Sequence, residues 1–174
     1  MSDFPYSEAE IIDFLQRDVP RLLVHLGPIQ VPNWGQMTAQ HMVEHLTGAV
    51  RLSMGRYGLP APPPSPALDE VQAYLQADAP FNISTPNPAT ARKLGPVHQP
   101  SLAAAISLLL LTLDEFFDHY AQQPAATAVH PAFGNLNFRQ WQVFHFKHFH
   151  HHLRQFGLIP TSLLPRPLGA RQSN

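Results

Sequence analysis

No cysteine occurs in the 174 residues of this chain. Disulfides and thiolate metal clusters are thereby excluded, and any bound metal must take nitrogen and oxygen ligands, a set that suits zinc, nickel, iron or manganese. Charge is also scarce: Asp, Glu, Lys and Arg make up 13% of the residues, and the formal net charge is −1. Without clustered Lys and Arg there is no electrostatic reason to expect nucleic acid or an anionic membrane surface as partner. A long hydrophobic run is missing too. The longest apolar stretch, Leu102 to Leu113, is interrupted by Ser107 and Thr112 and falls short of the roughly 20 residues a spanning helix needs, so it reads as a buried helix. The opening MSDFPYSEAE has neither the basic stretch nor the apolar core of a secretory signal, which makes the cytoplasm the expected location. With 44% hydrophobic residues, the chain fits a single domain with a real core.

What the chain does have is proline and histidine, 19 and 11 residues respectively. No internal repeat is visible, and four main helices account for most of the sequence. The first starts at Ser7, whose spacing to Glu10 is that of a capping box ahead of Ile11, Ile12, Phe14 and Leu15, and Pro20 kinks or divides it. Thr38 is a cap for the second, which carries Met42, Val43, Leu46, Ala49 and Val50 and fades near Gly55. Between Gly55 and Pro100 lie ten of the 19 prolines. That stretch is expected to wrap the surface as a long connection, with a short amphipathic helix over Leu68 to Gln76, and it serves either as a lid or binding-site wall or as a variable insertion. Ser101 caps the third main helix, whose apolar face includes Leu102, Ile106, Leu109, Leu113 and Tyr120. After a loop from Pro124 to Gly134, Asn137 and Gln140 have cap and reach-back spacing for a last helix that stops at Gly157. The expected organisation is an all-α bundle domain over residues 1–160 and a mobile tail over 161–174.

Five histidines fall between His145 and His152, inside the last helix. At about 100° per residue, His148 and His152 stand one turn apart on one face, the spacing two imidazoles need to share an ion. Trp141, Phe144 and Phe156 fall in the same arc, whereas Lys147, His150 and Arg154 point the other way, so His150 is expected to face water. Burying unsatisfied ring nitrogen costs roughly 1 to 3 kcal/mol per group, so the pair must find hydrogen-bond partners or a ligand. Taken alone, satisfied core histidines explain the pair as well as a metal does. His45, beside Met42 and Ala49 on the apolar side of the second helix, supplies a third imidazole, and bundles build metal sites in their interiors in this way. Three protein ligands leave an open position, the pattern of catalytic zinc.

Three further histidines are candidates for an acid–base role. His151 lies about 60° from His148 on the wheel and can reach a neighbouring helix, or it is a boundary residue. His145, one turn before His148, is a fourth ligand, a pocket wall or a boundary residue. His130, in the loop entering the last helix, sits either where a substrate arrives or in a turn that closes the end of the bundle. His41 falls nearer the polar edge of its helix. Glu44 does not share the direction of His45, and Asp114, Glu115 and Asp118 either orient a ligand histidine or, as charges near a helix end usually do, form a solvated face.

The segments WGQMTAQHMVEHL (Trp34 to Leu46), HPAFGNL (His130 to Leu136) and KHFHHHLRQFGL (Lys147 to Leu158) resemble an uncharacterised bacterial family within the DinB/YfiT-like superfamily. The order and spacing cover the chain. The resemblance implies a four-helix bundle with the Pro-rich connection between its second and third main helices. It also implies a triad of one histidine on the second helix and an H-x-x-x-H pair on the last, which match His45, His148 and His152. Members often carry a tryptophan at the start of the second helix, where this chain has Met37, with Trp34 and Gly35 just before it. Metal-dependent thiol transfer, isomerisation and hydrolysis are the activities the superfamily implies.

Two classes of function follow. One is a hydrolase or thiol transferase acting on a small molecule through one divalent ion, zinc first and nickel, iron or manganese next. The other is a non-catalytic bundle that binds a metal or an apolar ligand. Purely structural histidines, a third reading, predict no metal at all. A homodimer through exposed apolar helix faces is compatible with each.

Overall fold

The computed structural model describes residues 4–81 and 94–159. It is mostly helical. Ser7 begins the chain's first helical stretch as expected: its side chain accepts from the Glu10 amide while the Glu10 carboxylate accepts from the Ser7 amide at 2.8 Å. Helix α1 (Glu8–Asp13) passes without a break through a π-helical turn (Phe14–Asp18) into α2 (Val19–Leu23). The turn widens where the Val19 amide reaches back to the Phe14 carbonyl, and Pro20, which has no amide to donate, falls in the first turn of α2. Helix α3 (Ala39–Ser53) starts on Thr38, whose hydroxyl accepts from the His41 amide at 3.3 Å. Helix α4 (Pro66–Gln76) is the short helix of the Pro-rich connection, and α5 (Leu102–Gln122) starts on Ser101. Helix α6 (Phe138–Gln155) has Asn137 and Gln140 as a reciprocal capping box and is followed by Gly157 at φ +67.

The all-α expectation needs one correction. Residues read as a loop form an antiparallel hairpin, β1 (Thr127–His130) with β2 (Gly134–Asn137), in the register Ala128 to Leu136 and His130 to Gly134. Gly134 makes the reversal at φ +71, a conformation that costs glycine little. Both Ala128 and Leu136 turn into the core, so burial of alternate side chains offsets the weak strand propensity of such short segments.

Helix α6 is the axis of the molecule. Trp141 through Phe149 are all buried, which leaves no continuous solvent face. Phe4, Tyr6 and Phe14 pack on Phe146, with ring centroids 5.6, 4.6 and 4.9 Å away. On another side, Phe116 of α5 meets His145 at 5.0 Å. Helix α4 covers Lys147, whose ammonium donates to the carbonyls of Tyr74 and Ala77 at 3.1 and 2.8 Å. Lys147 and His150 therefore do not face water as the helical wheel suggests: Lys147 is buried, and His150 stacks on Phe14 at 4.3 Å. A wheel assigns one solvent side to a helix, and here the N-terminal aromatics and α4 occupy that side.

The connection between α3 and α5 is fixed at its described ends. Phe81 stacks on Phe133 and reaches within 6.4 Å of the His148 ring. Farther on, Glu44 accepts from the amides of His98 and Gln99 at 2.8 and 2.9 Å, and His41 Nε2 lies 2.9 Å from the Gly95 carbonyl. The part from 82 to 93, on which the choice between a lid or binding-site wall and a variable insertion turns, lies outside the described residues. The expected tail likewise lies outside them. Among the described residues no helix is long and apolar enough to cross a membrane.

Candidate metal centre

Helices α3 and α6 bring His45, His148 and His152 together. One ring nitrogen from each lies within 4.8 Å of the others. His148 Nε2 is central, 2.9 Å from His45 Nε2 and 3.1 Å from His152 Nε2. Nitrogen ligands held at roughly 2.0–2.1 Å from zinc at tetrahedral angles stand about 3.3 Å apart, close to these separations. The pair on α6 is buried and His45 is exposed, so the cluster sits at the edge of the core with one side toward solvent.

Hydrogen bonding favours a cation between the rings. The Gln155 amide nitrogen donates to the Trp34 carbonyl at 2.8 Å, which turns Gln155 Oε1 toward His152 Nδ1 at 2.7 Å. An amide oxygen only accepts, so the proton of neutral His152 belongs on Nδ1 and its Nε2 presents a bare lone pair to His148. His148 Nε2 lies against that lone pair on one side and against His45 Nε2 on the other, and with one proton or none it can form a hydrogen bond with only one of the two. A divalent ion satisfies all three, and the donor set fits one.

Electrostatics point the same way. Desolvation pushes His148 and His152 well below the ordinary imidazole range, and the neighbouring histidines push both further. His45 is lowered by desolvation first and by His151 second. All three are therefore held neutral, the state in which imidazole ligates metal.

The other candidates have different places. His145 is fully buried and its Nε2 meets Ser53 Oγ at 2.9 Å, while the Ser53 hydroxyl donates to the Val50 carbonyl. Its imidazole thus donates to the serine rather than taking a proton from it, between α3 and α6 and outside the three-nitrogen cluster. His130 Nδ1 accepts the amides of Ala132 and Phe133 at 3.0 and 3.2 Å, closing the hairpin turn, and its ring packs on Phe144 at 4.6 Å. His151 lies beside the cluster: its ring centroid is 5.0 Å from that of His152 and 5.7 Å from Trp34. Glu44 is turned away to the 98–99 backbone, and Glu115 pairs with Arg56 at 2.7 Å on the surface.

Two contributors were not singled out from the sequence. Gln155 stands three residues after His152, so H-x-x-Q spacing on one helix was an available signal. Phe81 comes from the irregular connection, and no local pattern marks it. No curated protein and no solved structure matches this chain. The model of a family described as a protein of unknown function, DUF1569, matches residues 33–158, a span that contains all three clustered histidines, and the chain belongs to that family.

Proposed function

We propose that His45, His148 and His152 hold one divalent ion, zinc before nickel, iron or manganese, and that the protein is a metal-dependent hydrolase or thiol transferase of DinB/YfiT-like four-helix architecture. The observation that carries this reading is the convergence of three neutral imidazole nitrogens at the core's edge, one ring of which is exposed. The order of ligands, one on α3 and a pair on α6, supports the superfamily resemblance. When bound, such an ion supplies Lewis acidity that brings the pKa of a coordinated water or thiol toward neutrality. The chain's own residues do the rest. His45 leaves an approach from solvent, while Phe81 and Phe144, 6.4 and 5.1 Å from the His148 ring, keep the inner side apolar. His151 is the remaining imidazole next to the cluster and is the group placed to move a proton.

A second reading, a non-catalytic metal-binding protein, has one observation in its favour: His130 and His145 spend ring nitrogens on structural hydrogen bonds, and Glu44 is committed elsewhere. His148→Ala separates the metal reading from purely structural histidines. The expected result is loss of stoichiometric metal on elemental analysis, and a variant that keeps one ion per chain contradicts the assignment. Turnover of an activated ester or a thiol-reactive electrophile by the zinc-loaded protein, abolished in His151→Ala with metal retained, favours the enzyme over the binding protein.

A further inference from the structure

The loop from Gln30 to Gly35 is bound to the end of α6 by hydrogen bonds given in both directions. Helix C-termini leave their last carbonyls without intrahelical partners. Here the loop supplies those partners: the Asn33 amide donates to the Gln155 carbonyl at 2.7 Å, Asn33 Nδ2 to the Arg154 carbonyl at 3.1 Å, and Gln30 Nε2 to the Phe156 carbonyl. In return the buried Gln155 side chain donates to the Trp34 carbonyl and accepts from His152 Nδ1. Gly35 makes the fit possible. It has φ +79, and a Cβ there would come within 2.9 Å of Gln155 Nε2, whose amide is held on both sides and cannot retreat without giving up one bond.

We infer that Gln155, held in place by the Trp34–Gly35 turn, is a positioning residue that fixes the tautomer and ring orientation of His152 so that its Nε2 faces the cluster. The physical need is general. A ligating imidazole has one nitrogen for the metal, and the partner of the other nitrogen decides which one that is. His148 has no such support: its Nδ1 is buried without a hydrogen-bond partner. Of the α6 pair, only His152 has its outer nitrogen held, by Gln155 and through it by a loop that joins α2 to α3. The metal consequence depends on the reading above, whereas the tautomer consequence does not.

The test uses the full, tag-free chain. Zinc affinity is measured by competition with a chromogenic chelator for the native protein, Gln155→Met, Gln155→Glu and Gly35→Ala. Gln155→Met keeps the length and loses the acceptor, so affinity should fall about 10- to 100-fold. Gln155→Glu keeps the acceptor but loses the donor to Trp34, and it should stay within a few-fold of native while denaturing earlier. Gly35→Ala should lower affinity in the direction of Gln155→Met. Long-range proton–nitrogen correlation spectra of the metal-free native protein should show His152 protonated at Nδ1. Native affinity in Gln155→Met, or an Nε2-protonated His152 in the metal-free protein, overturns the inference. Should the native chain take up no zinc, the metal reading fails, and the spectrum alone then upholds or overturns the role of Gln155.

Discussion

His148 stands between the other two imidazoles, buried, with its Nε2 facing a ring nitrogen of each, while His45 is exposed. Substitutions at the two should therefore differ. His45→Ala removes a ligand at little cost to the fold, so metal affinity drops while the urea midpoint of the metal-free protein stays near native. Loss of His148 opens a hole beside Phe144 and Phe81 and should lower both. Equal effects on metal-free stability from the two variants would contradict this placement. The cluster was legible in the sequence because helical period alone puts His148 and His152 one above the other and His45 among apolar neighbours. Lys147 and His150 were not, because their burial depends on α4 and on Phe14, which a helical wheel does not contain. Removing the Lys147 ammonium takes one of two hydrogen bonds from each of the Tyr74 and Ala77 carbonyls, which keep the Ala77 and Ala79 amides. Lys147→Met should cost about 1–3 kcal/mol in chemical denaturation if those buried bonds are made, and an unchanged midpoint would mean that the ammonium reaches water.

At the scale of elements, capping chemistry specified where most helices begin. Ser7, Thr38, Ser101 and Asn137 each accept an amide of the first turn, as their positions before apolar-periodic stretches suggested. Two elements were hidden. The π-helical turn has no composition of its own, and the hairpin uses four-residue strands, TAVH and GNLN, the second of which carries little β propensity, and they form because Ala128 and Leu136 reach the core. The hairpin also closes on His130, and its reversal leaves no room at Gly134: a Cβ there would lie 3.2 Å from Leu68 of α4. Gly134→Ala combines an unfavourable φ with that contact. It should destabilise the protein by about 1–3 kcal/mol while leaving zinc affinity per folded molecule near native, since the hairpin contributes no ligand.

For the whole molecule, buried neutral histidines couple stability to pH. Desolvation lowers His130 to about 4 and His145 to about 3, with His130 adding to the shift of His145. In the unfolded chain each takes up a proton near pH 6.5. The unfolded state therefore binds more protons as pH falls below that value. Their contribution is fully present above about 6.5 and is lost progressively toward 4 and 3, at up to about 1.4 kcal/mol per pH unit for each group. The denaturation midpoint of the metal-free protein should fall between pH 7 and pH 5, and a midpoint that holds level would place these rings in water. A metal at the cluster should add stability to the folded state. Free zinc at 100 times its dissociation constant adds about 2.7 kcal/mol, which for a chain of this size raises the melting temperature by about 5 to 10 °C.

Metal content decides whether the three imidazoles from α3 and α6 form one metal site. Tag-free protein purified without added metal, and then titrated with zinc, nickel, iron and manganese, should carry about one ion per chain by mass spectrometry. The double variant His148→Ala, His152→Ala, with its helical content verified, should carry none. No uptake by the native protein from any of the four metals, or equal uptake by the double variant, would contradict the account and leave the three histidines as packing residues.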